Sequence, residues 1–173
     1  MKVPKPVLTR LEENTLAAIA ERIFPATDTP GAVEIGAVNY IAIALAGDYV
    51  ALAPFYRIGL RAVNRHAQAK FGARFSNLSD ELKDLVLKDF ESGTVPGCRK
   101  AAEFFETVQY HVFEGIFCEP HYGGNRDMIG WRLVDFPGQQ FGYPEPYINQ
   151  RVDLEPVAVG DPKEEEREPW RRR

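Results

Sequence analysis

The chain has 173 residues, is 45% hydrophobic and 27% charged, and carries a net charge of -4 with a pI near 5.5. That is enough apolar material for one sizeable core, and the acidic balance argues against a general nucleic-acid binder, which needs a basic face. The most apolar run, Tyr40-Ile-Ala-Ile-Ala-Leu-Ala46, falls far short of the ~20 residues a membrane-spanning helix requires, so direct membrane insertion is not expected.

Thr9-Arg-Leu-Glu12 matches a capping box, in which a hydroxyl and a carboxylate satisfy each other's backbone N–H groups. Leu11, Thr15, Leu16, Ile19 and Ile23 follow at helical spacing until Pro25, so a first helix is predicted there. A second is predicted over about 32–46, with Gly47 as its C-cap. The third and longest is predicted over about 49–71, on the stripe Leu52, Phe55, Tyr56, Gly59, Val63 and Ala67, with Pro54 in its first turn. Arg57, Arg61 and Arg65 fall four apart on another face, readable as a solvated face or as an anion-binding stripe.

A fourth helix is predicted to start at an Asn77 or Ser79 cap and to end by Gly93. A fifth is predicted over about 99–117, with Ala101, Phe104, Phe105, Val108, Val112, Gly115 and Ile116 toward a core. No alternating strand pattern occurs. The predicted fold class is all-α, a five-helix bundle-like domain over residues 1–138.

The texture changes after Pro120. Tyr122-Gly-Gly-Asn-Arg-Asp-Met-Ile-Gly-Trp131 and Phe136-Pro137-Gly138 combine a glycine pair with specific polar and aromatic groups. Gly123 and Gly124 allow positive φ and close backbone approach. Asn125, Arg126 and Asp127 supply donors and acceptors, and Trp131 a broad flat surface. Such a loop is expected to dock something, with Arg126 donating to a partner and Trp131 filling a partner's pocket; the alternative is that both fold the loop onto the chain's own bundle. Residues 139–173 read as an extended arm bearing Phe141, Tyr143 and Tyr147, followed by a charged tail with five acids and five bases from Asp161. Proline at 144, 146 and 156 disfavours helix in the arm.

Catalytic signatures are missing. None of the three serines sits in Gly-x-Ser-x-Gly. Gly-x-Gly-x-x-Gly is absent, so no dinucleotide is expected in this chain. The three histidines include one His-x-x-Glu, His111-Val-Phe-Glu114, a single reversed copy of the motif a di-metal bundle uses in pairs; His111 is expected in the core. Cys98 and Cys118, if one helix spans both, lie ~30 Å apart at ~1.5 Å per residue and cannot bridge.

Phe104-Phe-Glu-Thr-Val108, Glu114-Gly115, the 122–131 loop and Phe136-Pro-Gly138 together resemble the gluconate 2-dehydrogenase subunit 3 family. The Leu11-to-Pro25 segment, Pro30-Gly31, Tyr40-Ile41 and Leu45-Ala-Gly47 are similar too, and the resemblance covers roughly residues 8–138. It implies a small subunit that stabilises a large FAD-dependent flavoprotein of the glucose-methanol-choline oxidoreductase type, with a cytochrome c subunit added in some complexes. FAD is then expected in the partner, with no cofactor, metal or catalytic residue in this chain.

The implied activity of the complex is oxidation of a sugar or glycoside hydroxyl, including a glucoside 3-dehydrogenase-like reaction. Tyr122, Gly123, Gly124, Asn125, Arg126, Asp127, Trp131, Phe136, Pro137, Phe141, Tyr143 and Tyr147 are the expected partner-binding residues. Family members often carry a twin-arginine export signal, and none is seen here, so the chain as it stands is expected in the cytoplasm, or in the periplasm through a partner's signal. The rival readings are an independent helical-bundle metal enzyme and a stand-alone scaffold or regulatory protein.

Overall fold

The computed structural model describes residues 7–138 and 155–159. The described chain is all-α: α1 (Arg10–Ile23), α2 (Ala32–Ile35), α3 (Ala37–Ala46), α4 (Ala53–Phe71), α5 (Asp80–Glu91), α6 (Ala101–Phe117) and α7 (Ile129–Leu133), with short 3-10 turns between them.

The capping box at α1 forms as its spacing requires. The Thr9 hydroxyl accepts from the Glu12 N–H at 3.3 Å, and the Glu12 carboxylate accepts from the Thr9 N–H at 2.9 Å. Glu12 is buried and also pairs with Arg61 at 2.9 Å. Burial pushes its carboxyl up, but the Thr9 hydrogen bonds and Arg61 outweigh that and hold it below its ordinary value. Of the arginine stripe, Arg57 donates to the Val7 carbonyl and Arg61 to Glu12. Two of its three members therefore secure the N-terminal segment.

Two predicted boundaries shift. The single helix expected over 32–46 is broken at Gly36, whose φ of +99° ends α2 and starts α3 on a new axis. The helix expected from residue 49 begins as the 3-10 turn Val50–Leu52 and becomes α-helical at Ala53, with Pro54 in its first turn. These shifts, and the short α7 inside the predicted loop, turn five expected helices into seven.

The core is one cluster drawn from α1 to α6. Leu16, Ile19, Ile35, Ile41, Leu45, Leu60, Val63, Val86 and Ile116 are fully buried, each contributing roughly 1.5–3 kcal/mol of transfer free energy. The α6 stripe is buried as its period demands, with Phe105 only partly covered. α6 is the central element, packing on α3 and α5, and Gly115 permits the α3 crossing: a Cβ there would lie 2.7 Å from the Ala37 Cα.

Polar clamps tie the outer helices. Arg22 on α1 binds Asp84 bidentately at 2.8 and 2.9 Å and Asp80 at 3.0 Å. Asp89 on α5 binds His66 and Lys70 of α4.

Candidate functional site

The 118–138 loop is built onto the C-terminal end of α6. Asn125 holds the left-handed conformation (φ 41°) that this residue type tolerates. It is fully buried, and every polar group it carries is used. Its N–H donates to the Gly115 carbonyl at 2.8 Å and its side-chain amide to the Cys118 carbonyl at 2.8 Å. Its Oδ1 accepts from the Gly130 N–H at 2.9 Å. Carbonyls orphaned at the end of α6 are thereby satisfied.

Gly124 lies against α6 so closely that a Cβ would sit 2.2 Å from the Gly115 carbonyl oxygen. Gly123, at φ +91°, presents its carbonyl to the Asn39 amide of α3 at 2.7 Å. Trp131 is 4% exposed, donates its indole N–H to the Phe117 carbonyl at 2.7 Å, and meets Phe136 edge-on.

The predicted docking set therefore divides. Gly124, Asn125 and Trp131 face inward and fold the loop onto its own bundle; for Trp131 this replaces the expectation of a partner's pocket. Tyr122, Arg126, Asp127 and Phe136 face solvent. Arg126 and Asp127 stand in a backbone stretch where Asp127 and Met128 both take positive φ, 52° and 57°, a conformation that costs energy in a methionine and clusters at functional sites. Pro137 gives its carbonyl to the Val157 N–H at 3.3 Å. Phe141, Tyr143 and Tyr147 lie outside the described residues. The arm's described end, 155–159, returns to this chain: Val157 is buried, Glu155 pairs with Arg132, and the Val159 N–H reaches Glu119 at 3.3 Å.

Beside this loop lies a cavity of about 550 Å³ that the sequence reading did not find. Tyr40, Ile43 and Ala44 of α3 form one wall, with Asp48 and Tyr49 just beyond that helix. Glu114 and Phe117 of α6 form the other, with Cys118, Glu119 and Tyr122. The Glu114 carboxylate accepts from the Tyr40 hydroxyl at 3.1 Å and from the Tyr49 hydroxyl at 3.2 Å. Behind it, Tyr49 stacks on His111, whose Nδ1 lies 2.7 Å from the Tyr56 hydroxyl.

Burial, and then the charge of Glu114, push Tyr40 well above the ordinary tyrosine value, so it remains a hydrogen-bond donor. Tyr49 is raised by the same two influences. Burial lowers His111 against the opposing pull of Glu114, leaving the ring neutral, and burial raises the Cys118 thiol, keeping it protonated. One signal for this site was present in the sequence: Glu114 is the lone acid in the stretch 107–118.

Several large apolar side chains are exposed in and near the residues that line this cavity. Ile43 and Tyr122 line it; Val50 follows Tyr49; Tyr110 meets the His111 ring; Phe113 stacks on Phe117. All five are between 40% and 63% exposed. Among the described residues no three His, Cys, Asp or Glu side chains gather to hold a metal, and no single helix is long and apolar enough to cross a membrane.

The described chain is thus an all-α bundle whose 118–138 loop is folded onto α6, with exposed apolar side chains around the cavity beside it. The family model described as Gluconate 2-dehydrogenase subunit 3 matches residues 10–138, and the chain belongs to that family, a small subunit of a dehydrogenase complex. No curated protein and no solved structure matches the chain.

Proposed function

We propose that this chain is the non-catalytic small subunit that binds and stabilises a large FAD-containing catalytic subunit of the glucose-methanol-choline oxidoreductase type, in a dehydrogenase acting on a sugar or glycoside. The observation that carries the reading is the set of exposed apolar side chains in and near the lining of the Glu114 cavity. Ile43, Val50, Tyr110, Phe113 and Tyr122 lie there, and large exposed apolar patches on a soluble chain mark a protein-binding surface. The exposed loop residues Tyr122, Arg126 and Phe136 add the aromatic and guanidinium groups in which interface energy concentrates, with Asp127 beside them. The flavin would accept hydride from a carbinol C–H within the partner. This chain's own residues contribute the surface, and the loop's anchoring to α6 keeps that surface rigid.

The test is co-expression of the full chain with a glucose-methanol-choline-type flavoprotein from the same host, followed by gel filtration and an absorption spectrum. A stable yellow complex is expected, and Phe113→Asp is expected to dissociate it. A chain that elutes alone, with the flavoprotein stable and active without it, would overturn the proposal.

A further inference from the structure

We propose that the Glu114 cavity is a receptor for an arginine side chain of the catalytic subunit, with the Glu114 carboxylate binding the guanidinium and the tyrosine rings flanking it. This rests on the docking reading above and names what the centre of that surface recognises.

The acceptor is prepared for such a ligand. An ionised carboxylate offers about four lone-pair sites. Tyr40 donates to Oε2, and Tyr49 spans Oε1 and Oε2 at 3.3 and 3.2 Å. The two hydroxyls, with one proton each, orient the carboxylate and fill about two of those sites, leaving the others for a guanidinium. Neither hydroxyl neutralises the charge, because both stay protonated. Among the described residues no Lys, Arg or His pairs with Glu114, and none lines the cavity; Asp48 and Glu119 add negative charge at its edge. A half-buried carboxylate without a cation, in a cleft walled by low-dielectric rings, selects positive charge.

The walls select among cations. Tyr40, Tyr49, Tyr122 and Phe117 line the cavity, and against aromatic walls a planar, weakly hydrated guanidinium packs better than an ammonium. A hydrated divalent ion gains nothing from aromatic walls. A neutral sugar would leave the negative charge uncompensated.

The experiment compares the wild-type chain and Glu114→Gln, each co-expressed as full chains with the flavoprotein. Gln keeps the shape and an acceptor for the tyrosines but not the charge. The expected result is an affinity for the flavoprotein weaker by ~30-fold or more, as for loss of one partner of a desolvated charge pair. The wild-type affinity should fall on going from about 50 to about 500 mM salt, where screening sets in, and the variant's should fall much less. In parallel, ethylguanidinium is titrated into the isolated chain and followed through the Tyr40 and Tyr49 ring resonances. Saturable shifts in wild type that vanish in Glu114→Gln are expected, with none from glucose or magnesium.

Wild-type affinity and salt dependence in Glu114→Gln, in a complex that Phe113→Asp still dissociates, would overturn the receptor while leaving the docking reading intact. Should no flavoprotein complex form, the docking reading falls, and the partner arginine with it; saturable ethylguanidinium binding would then preserve only the cavity's chemistry. Saturation by glucose or magnesium instead would overturn that chemistry as well.

Discussion

The indole N–H of Trp131 donates to the carbonyl of Phe117 at 2.7 Å. A side chain fourteen residues downstream thus takes one of the acceptors that the end of α6 leaves open. The same helix end receives the Asn125 amide at Cys118, so the loop is a cap on α6 as well as a surface. Stability and partner binding are assigned to different residues of one short segment.

Trp131→Phe should therefore destabilise the isolated chain. Phe keeps one aromatic ring, but the Phe117 carbonyl loses its donor and part of the indole's buried volume is left empty, at a cost of about 1–3 kcal/mol. Arg126→Ala removes an exposed side chain and should leave stability nearly unchanged while weakening association with the flavoprotein. Urea denaturation of the chain, beside subunit titrations of dehydrogenase activity, separates the two. Equal loss of stability in both variants would contradict the division.

Gly124→Ala should be severe. Its Cβ would meet the Gly115 carbonyl at 2.2 Å and the Cys118 sulfur at 2.8 Å, and the first of these neighbours is backbone that cannot rotate away. Overpacking of this kind costs about 1–3 kcal/mol or more. Thermal melts and hydrogen exchange at the end of α6 would show it; a wild-type melting temperature would mean that the loop does not sit on α6.

Glu12→Gln should lower stability in a pH-dependent way. The folded-state carboxyl lies below its unfolded value of about 4.3. Its contribution is therefore complete above that pH and is lost as pH falls through the folded value. The variant should be less stable than wild type at pH 7, with the difference shrinking below about pH 4. A difference constant from pH 7 to pH 3 would show that Glu12 acts through shape alone.

His111 should resist protonation. Burial depresses its folded value below the unfolded value of about 6.5. The stability contributed by the neutral ring is present above that pH and is lost as pH falls through the folded value. In an NMR titration the His111 C–H signal should show its midpoint below pH 6.5, where an exposed histidine is half protonated. A midpoint at or above that pH would mean that the ring stacked between Tyr49 and Tyr56 is not shielded from water.

What the sequence determined by itself is what neighbouring residues decide. The Thr9–Glu12 capping box, Pro54 in the first turn of α4, and the buried stripe from Ala101 to Ile116 each depend on contacts within a few residues of chain, where helical geometry alone sets who meets whom. The glycine pair was legible as a close backbone approach for the same reason.

Tertiary structure decided which loop residues turn inward, because Asn125 and Trp131 are placed by the end of a helix whose position depends on the whole core. It also decided the cavity. Tyr40 and Tyr49 lie 74 and 65 residues from Glu114, and no spacing rule links residues that far apart. They meet because α3 crosses α6 at Gly115, where the absent side chain lets the two backbones approach.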